Sequence, residues 1–144
     1  MMLSLTCKAS IKAVVFLGSR LACGERSSLK DVATFIGENE HTVGKLLQRL
    51  VKAGIVQSAK GPRGGFFITA NQANQRVIRI VLAIDGEDIF TQCGLGLNKC
   101  SDVRPCPFHE DFKPIREQFR KLCHDRRVRD LFEDVNNGLA HLVG

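Results

Sequence analysis

A chain of 144 residues, 44% hydrophobic and 25% charged, holds enough apolar material for one core, so disorder is excluded and disulfide staples are not required for folding. Its net charge of +6 lies wholly in the first half: residues 1–70 carry ten Lys/Arg against four Asp/Glu, and residues 71–144 carry eleven of each. That asymmetry points to a polyanionic partner for the first half, most simply nucleic acid.

The N-terminal stretch MMLSLTCKASIKAVVFLGSRLAC has the outline of a signal peptide, but Lys12 and Arg20 leave only residues 13–18 uncharged and mostly apolar. That is too short for a secretory core. No run approaches a membrane span, so the expectation is a cytoplasmic protein with no membrane partner. In that compartment clustered cysteines are metal ligands or redox groups more often than disulfides. Leu5, Ala9, Ala13, Phe16, Leu17 and Leu21 recur at helical spacing and predict one apolar stripe on a helix over 4–22. Ser28 caps a second helix, which Gly37 ends. Only a short turn separates it from a third, opened by Asn39 or Glu40 and closed at Gly54.

In the third helix Val43, Leu46, Leu47 and Leu50 face the core. His41, Thr42, Lys45, Arg49 and Lys52 lie opposite, with Gln48 at the flank. Two helices joined by a tight turn, the second with a basic, acid-free face, form a helix-turn-helix. A short strand over 55–58, the turn KGPRGG and a returning strand over 66–69 form a wing, with Lys60 and Arg63 beside its tip. These positions predict DNA contacts through His41, Thr42, Lys45, Gln48, Arg49, Lys60 and Arg63.

Residues 74–85 read as a helix apolar on all sides, hence buried. The segment CGLGLNKCSDVRPCPFH (93–109) follows, a Gly/Pro-rich loop with the pattern Cys93-x6-Cys100-x5-Cys106-x2-His109. These gaps are wider than the close pairs of zinc knuckles and suit an object larger than one ion. Three thiolates and an imidazole match an iron–sulfur cluster, with Lys99 and Arg104 offsetting its charge. A zinc site, or a disulfide leaving one thiol free, uses the same residues, and His109 also suits a plain helix start. Cys7, Cys23 and Cys123 read as small buried or inert thiols, with each also a candidate fourth ligand across a dimer. Beyond the loop Phe108, Phe112, Ile115, Phe119 and Leu122 form a strict seam on a long helix, with Pro114 in its first turn or at a kink. That seam packs on the same helix of a second chain or on its own domain. A final helix is expected over 128–142. No nucleophile–base pairing or phosphate loop is present, so an enzyme is not expected.

Together these features describe a mainly α protein with a small β-hairpin: a winged helix-turn-helix over 1–70, a linker helix over 71–92, a cysteine loop over 93–109 and C-terminal dimerisation helices over 110–144. LLQRLVKAGIVQSAKGPRGGFFIT (46–69), the IDG of 84–86 and the three-cysteine loop resemble the Rrf-type (IscR-, NsrR- and CymR-like) family of bacterial transcriptional regulators. The resemblance covers nearly the whole chain. It implies a homodimer with crossing C-terminal helices, a third helix in the major groove of an operator DNA, and the wing in the minor groove. It implies a 2Fe–2S or 4Fe–4S cluster on Cys93, Cys100 and Cys106, with His109 matching the fourth ligand of IscR-like members. The expected function is thus a DNA-binding regulator, in the repressor mode, modulated by that cluster. The alternatives are a zinc site or thiol/disulfide switch in the loop, or a cluster-carrying redox protein with a protein partner. Two features depart from the family. The first cysteine gap is six where five is usual, and Thr42 and Gly44 replace an aromatic and an acidic residue.

Overall fold

A computed structural model describes residues 2–97 and 100–143, with eight α-helices and one β-hairpin among them. Ser4 opens α1 (Leu5–Ser19), its hydroxyl accepting the Cys7 amide at 3.0 Å. Residues 13–18 are all buried, so this helix is enclosed on nearly every side rather than along one stripe. Leu5, expected in that stripe, is 74% exposed. Ser4 beside it bonds Asp85 through both its amide and its hydroxyl, and the next position turns to solvent. The helix stops short of residue 22 because Leu21–Cys23 tighten into a 3₁₀ turn.

α2 (Leu29–Ile36) starts at Ser28, whose hydroxyl accepts the Asp31 amide at 3.0 Å. Gly37 ends it at φ 74°, a left-handed conformation that an L side chain resists. The chain reverses at once into α3 (Glu40–Lys52), where Asn39 Oδ1 accepts the Thr42 amide at 2.8 Å. Val43, Leu46, Leu47 and Leu50 are buried as their spacing requires.

The wing pairs β1 (Gln57–Ala59) with β2 (Gly65–Phe67), antiparallel, with Ser58 opposite Phe66. Both strands sit slightly off their expected places. Ile55 and Val56 do not pair. Their amides both bond the Leu50 carbonyl, and their side chains plug the core beneath α3. Ser27 adds a rung on the far side of β2, exchanging two backbone bonds with Phe66 at 2.8 and 2.9 Å. A Cβ on Gly65 would stand 2.7 Å from the Ser27 carbonyl, so that close approach demands glycine.

Past the wing come α4 (Ala70–Ala73), held by a Thr69–Gln72 capping box, and α5 (Val77–Ile84). The linker helix begins at Val77, not residue 74, because Arg76 is extended and bridges Arg127. α6 (Asp88–Thr91) precedes the cysteine loop. α7 (His109–Asp125) follows it and places Pro114 in its second turn. α8 (Val128–Asn136) ends before residue 142, because the Leu139 and Ala140 amides fold back onto the Asp134 carbonyl.

The apolar seam of α7 splits. Phe119 meets Phe90 of α6 with the rings tilted and their centroids 5.9 Å apart, and Phe112 lies under Gly94. Phe108, Ile115 and Leu122, seven residues apart, stay exposed. α8 returns to α1, where Phe132 is buried against Gly18. One apolar cluster therefore runs from Cys7 to Phe132. No described helix is long and apolar enough to cross a membrane.

Candidate nucleic-acid interface and cysteine loop

Because α3 buries its apolar face, His41, Lys45, Gln48 and Arg49 are carried outward on one surface, with Thr42 at its edge. Lys45, Gln48, Arg49 and Lys52 line an open depression, and His41 and Thr42 line its neighbour. Lys60 and Arg63 are exposed at the wing. Sequence reasoning passed over Arg26. Its guanidinium lies 4.8 Å over the Phe67 ring and donates to the Arg63 carbonyl at 3.3 Å, adding a cation at the base of the wing. Nothing local marks it, since both partners lie about forty residues away in sequence.

Arg49 differs from the other cations of α3. Its Nη2 donates to the Ile84 carbonyl at 2.8 Å and the Ala83 carbonyl at 3.3 Å. These are among the last carbonyls of α5, which lack helical partners and carry the negative end of the helix dipole. Arg79 of α5 answers with a bond to Ala53, the residue that ends α3, at 3.1 Å. α3 and α5 are thus cross-tied by two arginines.

The loop is suspended between α6 and α7. Arg116, 6% exposed, donates from α7 to the Thr91 and Gln92 carbonyls, the latter at 2.7 Å, and so fixes the residue before Cys93. Its Nε is buried with no hydrogen-bond partner among the described residues, a cation with one donor unspent beside the start of the loop.

Cys93 is buried, and its Sγ accepts the Leu95 amide at 3.4 Å. The amides of Leu95 and Leu97, then the Cys106 thiol and the Gly96 amide, hold the Cys93 thiol below its ordinary range. Burial, and the Cys93 sulfur beside it, push Cys106 up. Cys100 Sγ lies 3.3 Å from His109 Nδ1. His109 is only 5% exposed, and its Nε2 is 2.7 Å from Asp102 Oδ1. Lys113 bonds both oxygens of that carboxylate, at 3.0 and 3.2 Å. Lys113 and His109 keep the Asp102 carboxyl below the usual carboxylate range.

The four expected donors therefore gather as two pairs, Cys93 with Cys106 and Cys100 with His109. Among the described residues no three such groups close on a point that would hold a single ion. Arg104 is exposed, and Lys99 lies outside the described residues. Asp102 and Arg116 went unremarked in the sequence, because a polar residue between cysteines and a cation on an amphipathic helix look ordinary. All six described cysteines are free thiols. Cys7 and Cys123 are core residues, and burial followed by the nearby Asp85 pushes the Cys7 thiol up to about 12.

The Rrf2 family model, described as iron-dependent transcriptional regulator, matches residues 3–134. A putative HTH-type transcriptional regulator of Neisseria meningitidis is 29% identical over 94 residues, covering 65% of this chain and 63% of the relative. The chain thus spans less than two thirds of the length of that relative. CymR, the global cysteine regulator of B. subtilis, superposes with a TM-score of 0.72 at 18% identity, over 91% of this chain and 95% of that one. IscR of T. potens gives 0.73 at 19% identity, over 96% and 91%. At such identities the likeness shows the fold, a winged helix-turn-helix with a mainly helical C-terminal part. The curated relative is named as a transcriptional regulator, not an enzyme.

Proposed function

The chain belongs to the Rrf2 family of transcriptional regulators, and from that premise we propose that it binds operator DNA as a homodimer, in the repressor mode, with an iron–sulfur cluster in the 93–109 loop setting its affinity. The observation that carries the cluster reading is the preparation of the loop for soft, anionic sulfur. Three amides surround Cys93, and the buried Arg116 holds the carbonyl of the residue before it, Gln92. Donors arranged as two pairs suit a multi-iron object better than a single zinc ion. Cys93, Cys100, Cys106 and His109 would hold it. When bound, such a cluster supplies a link between these groups that oxidation or loss of iron breaks.

The rest is the work of the chain. Arg116 ties the loop to α7, and Arg49 ties α3 to the end of α5. Between them, Arg76 at the head of α5 donates to the His124 carbonyl of α7 at 2.8 Å, so a displacement of the loop reaches α3 through α7 and α5. A tenfold change in operator affinity requires only about 1.4 kcal/mol of difference between the two states. Lys45, Lys60 and Arg63 reach phosphates, while His41, Thr42 and Gln48 face base edges. The exposed line Phe108, Ile115 and Leu122 supplies the surface for the α7 of a second copy.

Purification without oxygen, followed by the visible spectrum and assays of iron and sulfide, tests this reading. Coloured protein that loses its iron in Cys100→Ser supports it. Protein that stays colourless after reconstitution refutes the cluster. A second reading has its own support: the contact between Cys93 and Cys106 suits a thiol/disulfide switch, in which the two thiols pass two electrons and two protons to a peroxide. Thiol counting before and after peroxide, in metal-free protein, separates the two.

A further inference from the structure

His109 is an unusual histidine, because both ring nitrogens are engaged across the loop by residues of different chemistry. Nδ1 faces the Cys100 sulfur at 3.3 Å and Nε2 faces Asp102 Oδ1 at 2.7 Å. An ionised carboxylate only accepts hydrogen bonds, so a nitrogen at 2.7 Å from it carries the proton. The Lys113 ammonium, bonded to both oxygens of Asp102, keeps that carboxylate ionised and holds it to the second turn of α7. A neutral imidazole has one N–H, and Asp102 claims it.

We infer that Asp102 is a positioning residue that fixes His109 as the Nε2–H tautomer, leaving the Nδ1 lone pair aimed at Cys100. The inference rests on the cluster reading for its purpose but not for its geometry. In the thiol form the Nδ1 lone pair accepts the Cys100 S–H. With a metal centre in the loop, the same lone pair is the one directed inward. A carboxylate behind a ligating histidine sets ring orientation and tautomer, and its loss costs about 10- to 100-fold in metal affinity. The arrangement also explains why a histidine at the first position of α7 is buried when nothing in the helical pattern asks for it. Asp102 and Lys113 bracket it from the loop and from the helix.

The test begins on the full-length, metal-free, thiol-reduced protein labelled with ¹⁵N at histidine. His109 is assigned by the loss of its signals in His109→Gln, which separates it from His41, His124 and His141. Long-range ¹⁵N–¹H correlation at neutral pH should show a protonated Nε2 and an unprotonated Nδ1. In Asp102→Ala the two tautomers should mix, and Asp102→Glu should restore the single form. Asp102 is largely exposed, so the alanine variant keeps the fold, checked by an unchanged melting curve. A wild-type Nδ1–H form, or a tautomer indifferent to Asp102→Ala, overturns the inference. On reconstituted protein, Asp102→Ala should release iron to a chelator at least tenfold faster than the wild type, and equal release rates count against it. If the wild type never takes up iron and sulfide while the tautomer depends on Asp102, the cluster reading fails and the positioning role stands.

Discussion

Arg49 and Lys45 lie one helical turn apart on the same face of α3, yet removing them should have opposite consequences. The Arg49 guanidinium ends on two carbonyls of α5, whereas Lys45 opens to solvent. Arg49→Ala deletes a charged hydrogen bond to two helix-terminal carbonyls. Charge-assisted bonds contribute about 1.5–3 kcal/mol when shielded, but Arg49 is exposed, so the loss should be near 1 kcal/mol. For a chain of this length that lowers Tm by about 3–4 °C. Lys45→Ala should leave Tm unchanged. In operator titrations over a range of salt, each phosphate contact contributes about 0.9 to the slope of log affinity against log salt. Lys45→Ala should therefore reduce the slope by about 2 for the two protomers together, while Arg49→Ala weakens binding with the slope intact. The reasoning is refuted if Arg49→Ala melts like the wild type and flattens the salt dependence as Lys45→Ala does.

Alanine should act oppositely at two helical glycines. A Cβ at Gly44 meets only Leu29, at 3.6 Å, so Gly44→Ala should gain about 1 kcal/mol in denaturant titration. At Gly18 the same Cβ falls 2.2 Å from the Phe132 ring, so overpacking of about 1–3 kcal/mol outweighs the helical gain, and Gly18→Ala should lower stability. Equal stabilisation by both would contradict the packing of α8 on α1. Ile115→Glu places a charge in the exposed line of α7, and sedimentation should show a dimeric wild type and a folded, monomeric variant; a monomeric wild type would refute the proposed pairing of α7. Iodoacetamide at pH 8 should label exposed Cys23 well before Cys7, whose thiol is buried and pushed up to about 12. Similar labelling rates would mean that α1 is not packed as described.

What the sequence made legible was local. Ser28, Gly37 and Asn39 signal the helix-turn-helix through bonds that span three or four residues, and each does what its type predicts. Gly and Pro mark the wing for the same reason. Errors arose where a distant partner decides. Ile55 and Val56 look like strand residues, but the core under α3 takes them first. Arg49 is indistinguishable from Lys45 by periodicity, because its partners come 34 and 35 residues later. The 4-3 spacing of α7 identifies an apolar face but not its surroundings: Phe119 meets Phe90 of α6 and Phe112 meets Gly94 of the loop, while Phe108, Ile115 and Leu122 face open solvent. In the loop the types and spacing of Cys93, Cys100, Cys106 and His109 mark them as candidate donors, and the structure gathers them as two pairs. The contacts of Asp102 with His109 and of Arg116 with the Gln92 carbonyl are not legible there, because they come from orientation and burial.

The seating of Phe132 on Gly18 joins residues more than a hundred positions apart. A chain emerging from the ribosome therefore completes the helix-turn-helix and the wing while α1 still lacks its last wall. Long-range closures of this kind come late in folding, and the surface they cover stays open until then. An unfinished or truncated chain would show chaperones and proteases the bare flank of α1 around Gly18. α8 is thus the wall that completes α1, and that flank of the N-terminal half stays open until the last helix of the chain has been made.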